Sequence, residues 1–175
     1  MDSTQTLTAV ITAVLVIAVL AMIWFGWRSR LRRQAGVERL PQVPGELTPA
    51  SLVADGQYVA TTTAGDWLDR IAVQGLGIRT TAELSVHAEG ILFDRAGVAP
   101  VFIPREALVE TRETSGMAGK FVEKDGLLVI SWKLGQQELD TGFRSRHSAD
   151  RQPLLQAIQE LISAAPQADA DSGKK

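Results

Sequence analysis

Two short stretches have the shape of chemical motifs. Gly116-Met117-Ala118-Gly119-Lys120 has the glycine and lysine of a phosphate-cradling loop, where backbone N–H groups hold phosphate oxygens and the lysine neutralises them. That motif also needs an earlier glycine, where Thr114 and Ser115 stand, and a Ser or Thr after the lysine, where Phe121 stands. The stretch therefore reads as a strand-connecting loop. Leu139-Asp140-Thr141-Gly142 matches the core of the aspartic-protease motif, in which two carboxylates share one proton. Here Phe143 and Arg144 follow in place of a small residue, and too little chain remains for such a fold. The strand reading fits better, with Thr141 facing inward and Asp140 outward.

Other candidates carry less. Gly75-Leu76-Gly77 lacks the third glycine of a dinucleotide fingerprint and has no βαβ unit around it, so it reads as a turn. His87 and His147 lie far apart, and the chain has no cysteine, so neither a metal site nor thiol chemistry is expected and both histidines read as surface residues. Trp67 and Trp132 could form a binding platform, but tryptophans in a small β domain are expected in its core. With no convergent acid, base or nucleophile set, the expectation is a non-enzyme without cofactor.

The elements that would position these residues are short strands followed by one helix. Gln57–Thr63 is rich in β-branched and aromatic residues, and Ala82–His87 alternates, with Leu84 and Val86 on one face. Ala88-Glu89-Gly90 turns into Ile91–Asp94, and Arg95-Ala96-Gly97 turns again toward Val101–Ile103. Arg105–Leu108 suits a single helical turn. Lys124-Asp125-Gly126 precedes Leu127–Leu134, where Leu128, Ile130, Trp132 and Leu134 share a face, and Gly135-Gln136 turns into Gln137–Phe143. Evenly spaced short strands with tight turns predict an antiparallel sandwich or barrel of about seven strands. Asp150–Ala164 differs: Leu154, Leu155, Ile158, Leu161 and Ile162 form one helical stripe, with Ser148 or Asp150 available as N-cap.

Ahead of this domain, residues 7–27 contain no charged residue. A helix of that length covers about 31 Å, close to the hydrocarbon thickness of a bilayer. Trp24 and Trp27 stand at its end, where indoles favour the headgroup region, and Arg28, Arg30, Arg32 and Arg33 follow at once. Residues 1–6 carry no Lys or Arg. The positive-inside rule then places residues 1–6 outside the cell membrane and everything after the span in the cytoplasm. A cleaved signal peptide would need its basic residues before a shorter apolar core. Residues 28–50 read as a basic juxtamembrane segment and a semi-extended spacer containing Pro41, Pro44, Gly45 and Pro49; residues 51–165 form the domain, and 166–175 a polar disordered tail.

Charge narrows the partners. Residues 28–46 hold five arginines and two glutamates, a net of +3, whereas residues 47–165 hold eleven Lys/Arg against fifteen Asp/Glu, a net of -4. A mildly acidic domain is the reverse of what nucleic-acid binding requires, so no nucleic-acid partner is expected.

Seven strands closed by a C-terminal helix is the plan of the pleckstrin-homology (PH-like) fold, and the residues carry a resemblance to it. AEGILFDRAGVAPVFIPREALVE (88–110) resembles the hairpin and following strand of bacterial PH-like domains. GLGIRTTAELSV, GMAGKFVEKDGLLVISWKLG and LDTGFR, behind an N-terminal span, resemble a group of membrane-anchored PH-like proteins of actinobacteria. The resemblance implies a PH-like seven-stranded barrel or sandwich capped by an amphipathic helix. Some members of the group carry a loose transporter label; a single span cannot line a conduit, so such a role needs partners that supply the pore.

Two functions remain. The first is a membrane-tethered, non-catalytic interaction or scaffold module that binds a protein partner through an edge, groove or loop. Its candidate surface is the loop bearing Arg112, Gly116, Met117, Gly119, Lys120 and Lys124. The second is capture of anionic lipid headgroups, which needs clustered cations that the net charge opposes. The first is favoured.

Overall fold

The computed structural model describes residues 11–25, 38–114, 116, 117, 120, 121 and 126–164. The chain divides into two units, Met1–Gly36 and Val37–Lys175.

In the first unit, residues 11–25 form a helix, α1. It carries no charge, and Ile11, Leu15, Ile17, Leu20, Met22, Ile23, Trp24 and Phe25 are all exposed. Trp24 and Phe25 meet edge to face, with ring centroids 5.9 Å apart. Among the described residues no helix is long and apolar enough to cross a membrane. The remaining residues of the apolar run, 7–10, 26 and 27, lie outside the described residues, as do Arg28, Arg30, Arg32 and Arg33.

The second unit is built on β1 (Leu52–Thr63), which is long because it serves two partners. Leu52–Tyr58 pairs with β3 (Thr80–His87), and Gly56–Thr63 pairs with β10 (Gln137–Ser145). The register slips between Tyr58 and Ala60, a bulge that bends the strand between its two ladders. Gly56 sits where both ladders overlap, and a Cβ there would strike the carbonyl of Arg144 and the ring of Phe143. β4 (Gly90–Arg95) and β5 (Val101–Pro104) extend the sheet on one side, and β9 (Leu127–Leu134) and β6 (Leu108–Thr114) on the other. The antiparallel order is β5-β4-β3-β1-β10-β9-β6, with β2 (Asp66–Arg70) paired to the end of β1. The edge strands β5 and β6 are joined by a 3₁₀ turn, Arg105–Ala107, where the sequence predicts one helical turn.

Alternation sends side chains from both halves of the sheet into one core. Tyr58, Leu84, Phe93 and Ile103 meet Leu128, Ile130, Trp132, Leu139 and Phe143 there. Tyr58 and Phe143 both lie against Phe93, at 5.5 and 5.9 Å between centroids. α2 (Arg151–Ser163) adds Leu154, Ile158 and Leu161, a spacing of four and three that keeps one face on the core. The 3₁₀ turn Ser148–Asp150 leads into α2; Asp150 occupies the N-cap position, but its side chain makes no capping hydrogen bond.

The antiparallel sheet covered by α2 agrees with the sandwich or barrel capped by a helix that the sequence predicts, its path ending at the two edges β5 and β6. Two expectations change. The sheet has eight strands, because β2 adds a short ribbon that a tight turn at Gly65 (φ +76°) makes possible. Residues 38–50, assigned to the spacer, are instead bound along the domain. Leu40 packs on the core, its N–H donates to Gln74 Oε1 at 2.8 Å, and Gln74 Nε2 donates to the Glu38 carbonyl at 2.8 Å. The segment has no ladder of its own, which is why periodicity passed over it.

Candidate functional site

β6 and β9 pair from Leu108 opposite Trp132 to Thr114 opposite Leu127. Beyond Thr114 a second, two-stranded ribbon continues the hairpin: β7 (Gly116–Met117) pairs with β8 (Lys120–Phe121). The candidate loop is thus the tip of this hairpin; Gly119 and Lys124 lie outside the described residues.

Arg112 stands at the base of that tip, and its guanidinium is occupied. Nη2 donates to Asp140 Oδ2 at 2.6 Å, and Nη1 donates to Glu110 Oε1 at 2.7 Å and Ser131 Oγ at 2.6 Å. Ser131 in turn donates to Asp140 Oδ1 at 2.6 Å, and the Gly65 N–H donates to Oδ2 at 3.3 Å. Asp140 does point away from the Thr141 side, as the strand reading predicts, yet it is buried. Its charge is tolerated there because a cation and two further donors surround it. The cluster ties β6, β9, β10 and the β1–β2 turn together; a cation answered by two carboxylates has little left for an incoming phosphate.

On the opposite face a chain of hydroxyls runs through the core. Tyr58 Oη lies 3.0 Å from the Leu76 carbonyl, which can only accept, so the phenol proton goes there. Thr61 must then donate to Tyr58 Oη (2.5 Å), Thr141 to Thr61 Oγ1 (2.7 Å), and the Trp132 indole to Thr141 Oγ1 (2.9 Å). One proton direction satisfies every group. Burial raises the Tyr58 phenol to about 12, against opposing contributions from the Thr61 hydrogen bond and the nearby Arg95 charge. Thr141, the motif's threonine, is therefore a core hydroxyl.

Arg95 lies over the Tyr58 ring, 4.7 Å from its centroid. Its Nε and Nη2 donate to the Ala99 carbonyl at 2.9 and 2.6 Å, and Nη1 to the Gly75 carbonyl at 2.8 Å. Burial lowers its pKa from the ordinary guanidinium value. It pins the loop around Val73–Gly75, whose Gln74 and Gly75 adopt positive φ (55° and 69°). The sequence reading took Arg95 for a turn residue; only its position opposite Tyr58, set by three strands, shows otherwise.

A third polar group clamps the far end of the 38–50 segment. Glu89 accepts from the Thr48 hydroxyl at 2.8 Å and from its N–H at 3.2 Å, and the Ala88 N–H donates to Thr48 Oγ1 at 3.1 Å. His87 bridges the Thr48 carbonyl (2.7 Å) and Ser85 Oγ (2.9 Å). The Thr48 hydroxyl lowers the Glu89 pKa. Trp132 is buried as expected, but Trp67 is not: on β2, beyond the main sheet, it remains 45% exposed. Among the described residues no three His, Asp or Glu side chains are placed to hold a metal ion.

The sequence model of the bacterial PH domain-like family matches residues 37–159. The chain belongs to that family. The match takes in residues 38–50, the bound segment, together with the strands and most of α2. No curated protein sequence matches the chain. Solved structures similar to it include a chain of the 8S snRNP assembly intermediate, at 6% identity and TM-score 0.49, covering 79% of this chain and 97% of that one. Another is Vav1 bound to an allosteric inhibitor, at 14% identity and TM-score 0.41, covering 78% of this chain and 32% of that one. A third is the C-terminal domain of an unknown protein from Leishmania infantum, at 12% identity and TM-score 0.39, covering 78% and 98%. PH-like domains in general bind proteins or lipids and are generally non-catalytic.

Proposed function

We propose that the chain is a single-pass membrane protein whose PH-like domain lies on the cytoplasmic side and acts as a non-catalytic scaffold for a protein partner. The anchor is supported by the uncharged run 7–27 and by the apolar character of α1, whose exposed side chains would be costly in water and at home in lipid. The four arginines after the run support the orientation. This arrangement is that of the actinobacterial group the sequence resembles.

The observation that carries a protein partner over headgroup capture is the pairing of Arg112 with Asp140 and Glu110. Of the candidate loop's cations Arg112 is neutralised by its carboxylate partners, and residues 47–165 net -4. The surfaces that remain are the β7–β8 tip and the β6 edge, where Val109 is exposed. An extended peptide can add to such an edge by main-chain hydrogen bonds.

The test uses the full-length protein with a carboxyl-terminal tag in native membranes. The tag should survive protease on intact cells and be cut in inverted vesicles, and the protein should resist carbonate extraction. A photo-crosslinking residue at position 109 or 117 should capture one discrete protein. Adducts with lipid alone would replace this reading with headgroup binding, and a tag cut from outside would overturn the topology.

A further inference from the structure

We propose that Thr48 is a phosphorylation site, and that a phosphate there unlatches residues 46–50 from the β3–β4 turn. Such a transfer needs a nucleoside triphosphate on the domain's side of the membrane, so the proposal rests on the cytoplasmic placement above. Thr48 differs from the other hydroxyls that join elements of the fold. Thr61, Ser131 and Thr141 are buried inside strands and cannot leave the sheet. Thr48 is exposed and lies in neither a helix nor a strand. Pro49 follows it, which favours extended backbone at Thr48, the form that an outside active site can take up.

The hydroxyl is the pivot of the contact with the β3–β4 turn. It donates to Glu89 Oε2 at 2.8 Å and accepts from the Ala88 N–H at 3.1 Å, while the Thr48 N–H donates to both Glu89 oxygens at 3.2 Å. The Thr48 carbonyl can only accept, so His87 Nδ1 carries the proton between them (2.7 Å) and Nε2 is turned to Ser85 Oγ (2.9 Å). Just beyond, Ser51 places its N–H and its hydroxyl on the Val86 carbonyl at 2.8 and 3.1 Å, so opening of the segment stops where β1 begins. A short surface segment held by side-chain bonds of this kind opens locally without disturbing the core.

Phosphoryl transfer reverses the sign of this contact. With ATP supplied by a protein kinase, Thr48 Oγ1 attacks the γ-phosphorus of the opened segment's bound donor. The Oγ1–P bond forms as the bond to the β–γ bridging oxygen breaks, ADP leaves with that electron pair, and the hydroxyl proton passes to a base of the kinase. Oγ1 then has no proton to give Glu89, and nearly two negative charges stand where the donor stood. Glu89 is itself held in its charged form by the Thr48 hydroxyl, its pKa lying below the ordinary carboxylate value. Like charges about 4 Å apart repel by about a fivefold shift in the equilibrium for each pair, even in water. Both His87 nitrogens are already hydrogen-bonded, so the closed turn offers the phosphate no free imidazole N–H. The modified segment therefore stays open.

Two measurements test this. Full-length protein in a detergent-opened extract of its native cells, given ATP labelled in the γ-phosphate, should take up label at residue 48. Thr48→Ser should keep the label and Thr48→Val should lose it. No label at residue 48, with the carboxyl-terminal tag cut only in inverted vesicles, overturns the phosphorylation site and leaves the topology standing. A tag cut from outside overturns the topology and this inference together. The latch is read by hydrogen exchange in the purified full-length protein. Thr48 is exposed, so substitution there spares the core. Thr48→Asp should quicken exchange of the amides of residues 46–48 and 88 roughly tenfold over Thr48→Asn, which has the same shape without the charge. In a Glu89→Gln background the two variants should exchange alike. Equal exchange of the Asp and Asn variants with Glu89 in place overturns the charge-driven unlatching.

Discussion

Replacing Thr141 with valine keeps the shape of the side chain and removes one hydroxyl from the middle of the buried chain. The Trp132 indole N–H then has no acceptor at a position with no solvent access. An orphaned buried donor costs about 1–3 kcal/mol, and Thr61 also loses the donor it accepts from. Thr61 still donates to Tyr58, and Tyr58 to Leu76, so the damage stops there. The expected loss is about 2–3 kcal/mol, which for a domain of this size lowers Tm by about 6–15 °C. Urea and thermal unfolding of the full-length protein in detergent, followed by far-UV circular dichroism, would measure it. The decisive comparison is the same change in a Trp132→Phe background, which has no indole N–H to strand; there the cost of Thr141→Val should shrink by about 1–2 kcal/mol. Additive losses, or a single-variant loss below about 0.5 kcal/mol, would refute the proton-directed chain.

Tyr58 is the only tyrosine, so tyrosinate absorbance reports on it alone. Its pKa is raised from 10.0 to about 12, so the folded state holds the phenol proton more tightly; that stability is fully present below pH 10 and falls by about 2–3 kcal/mol as pH rises toward 12. Titration of the native protein should show no tyrosinate near pH 10, with its appearance coinciding with unfolding. Glu89→Gln weakens the clamp on Thr48, and exchange of the Thr48 amide should quicken severalfold while core amides are unchanged. In the wild type the Glu89 pKa is lowered, so the clamp is intact above the ordinary carboxylate range and the same amide should lose protection as pH falls below it. Arg112→Leu strands the buried Asp140 carboxylate and should cost about 1–2 kcal/mol, the half-exposed arginine keeping the loss modest. Adding Asp140→Asn should recover part of it; no recovery in urea unfolding would mean that the pair is not what holds the hairpin base.

Much of this protein is set by local sequence. Alternation in Leu127–Leu134 and Gln137–Phe143 names the inward residues of β9 and β10, and the stripe from Leu154 to Leu161 names the buried face of α2. These signals are legible because each residue's side is fixed by its own strand or helix period. The uncharged run 7–27 and the arginines that follow it are likewise local features, legible from one segment alone. Tertiary structure alone decided the rest. Residues 38–50 have no period because their partners, Gln74 and Glu89, belong to other elements. Arg112, which the sequence offers as part of a candidate interaction loop, is instead held by Ser131 and Asp140, brought to it by β9 and β10. Trp67, which composition consigned to the core, stands outside it because a turn at Gly65 carries β2 past the end of the sheet. A side chain's type sets what it can bond to; which partner it meets depends on distant strands and appears only when the chain has closed on itself.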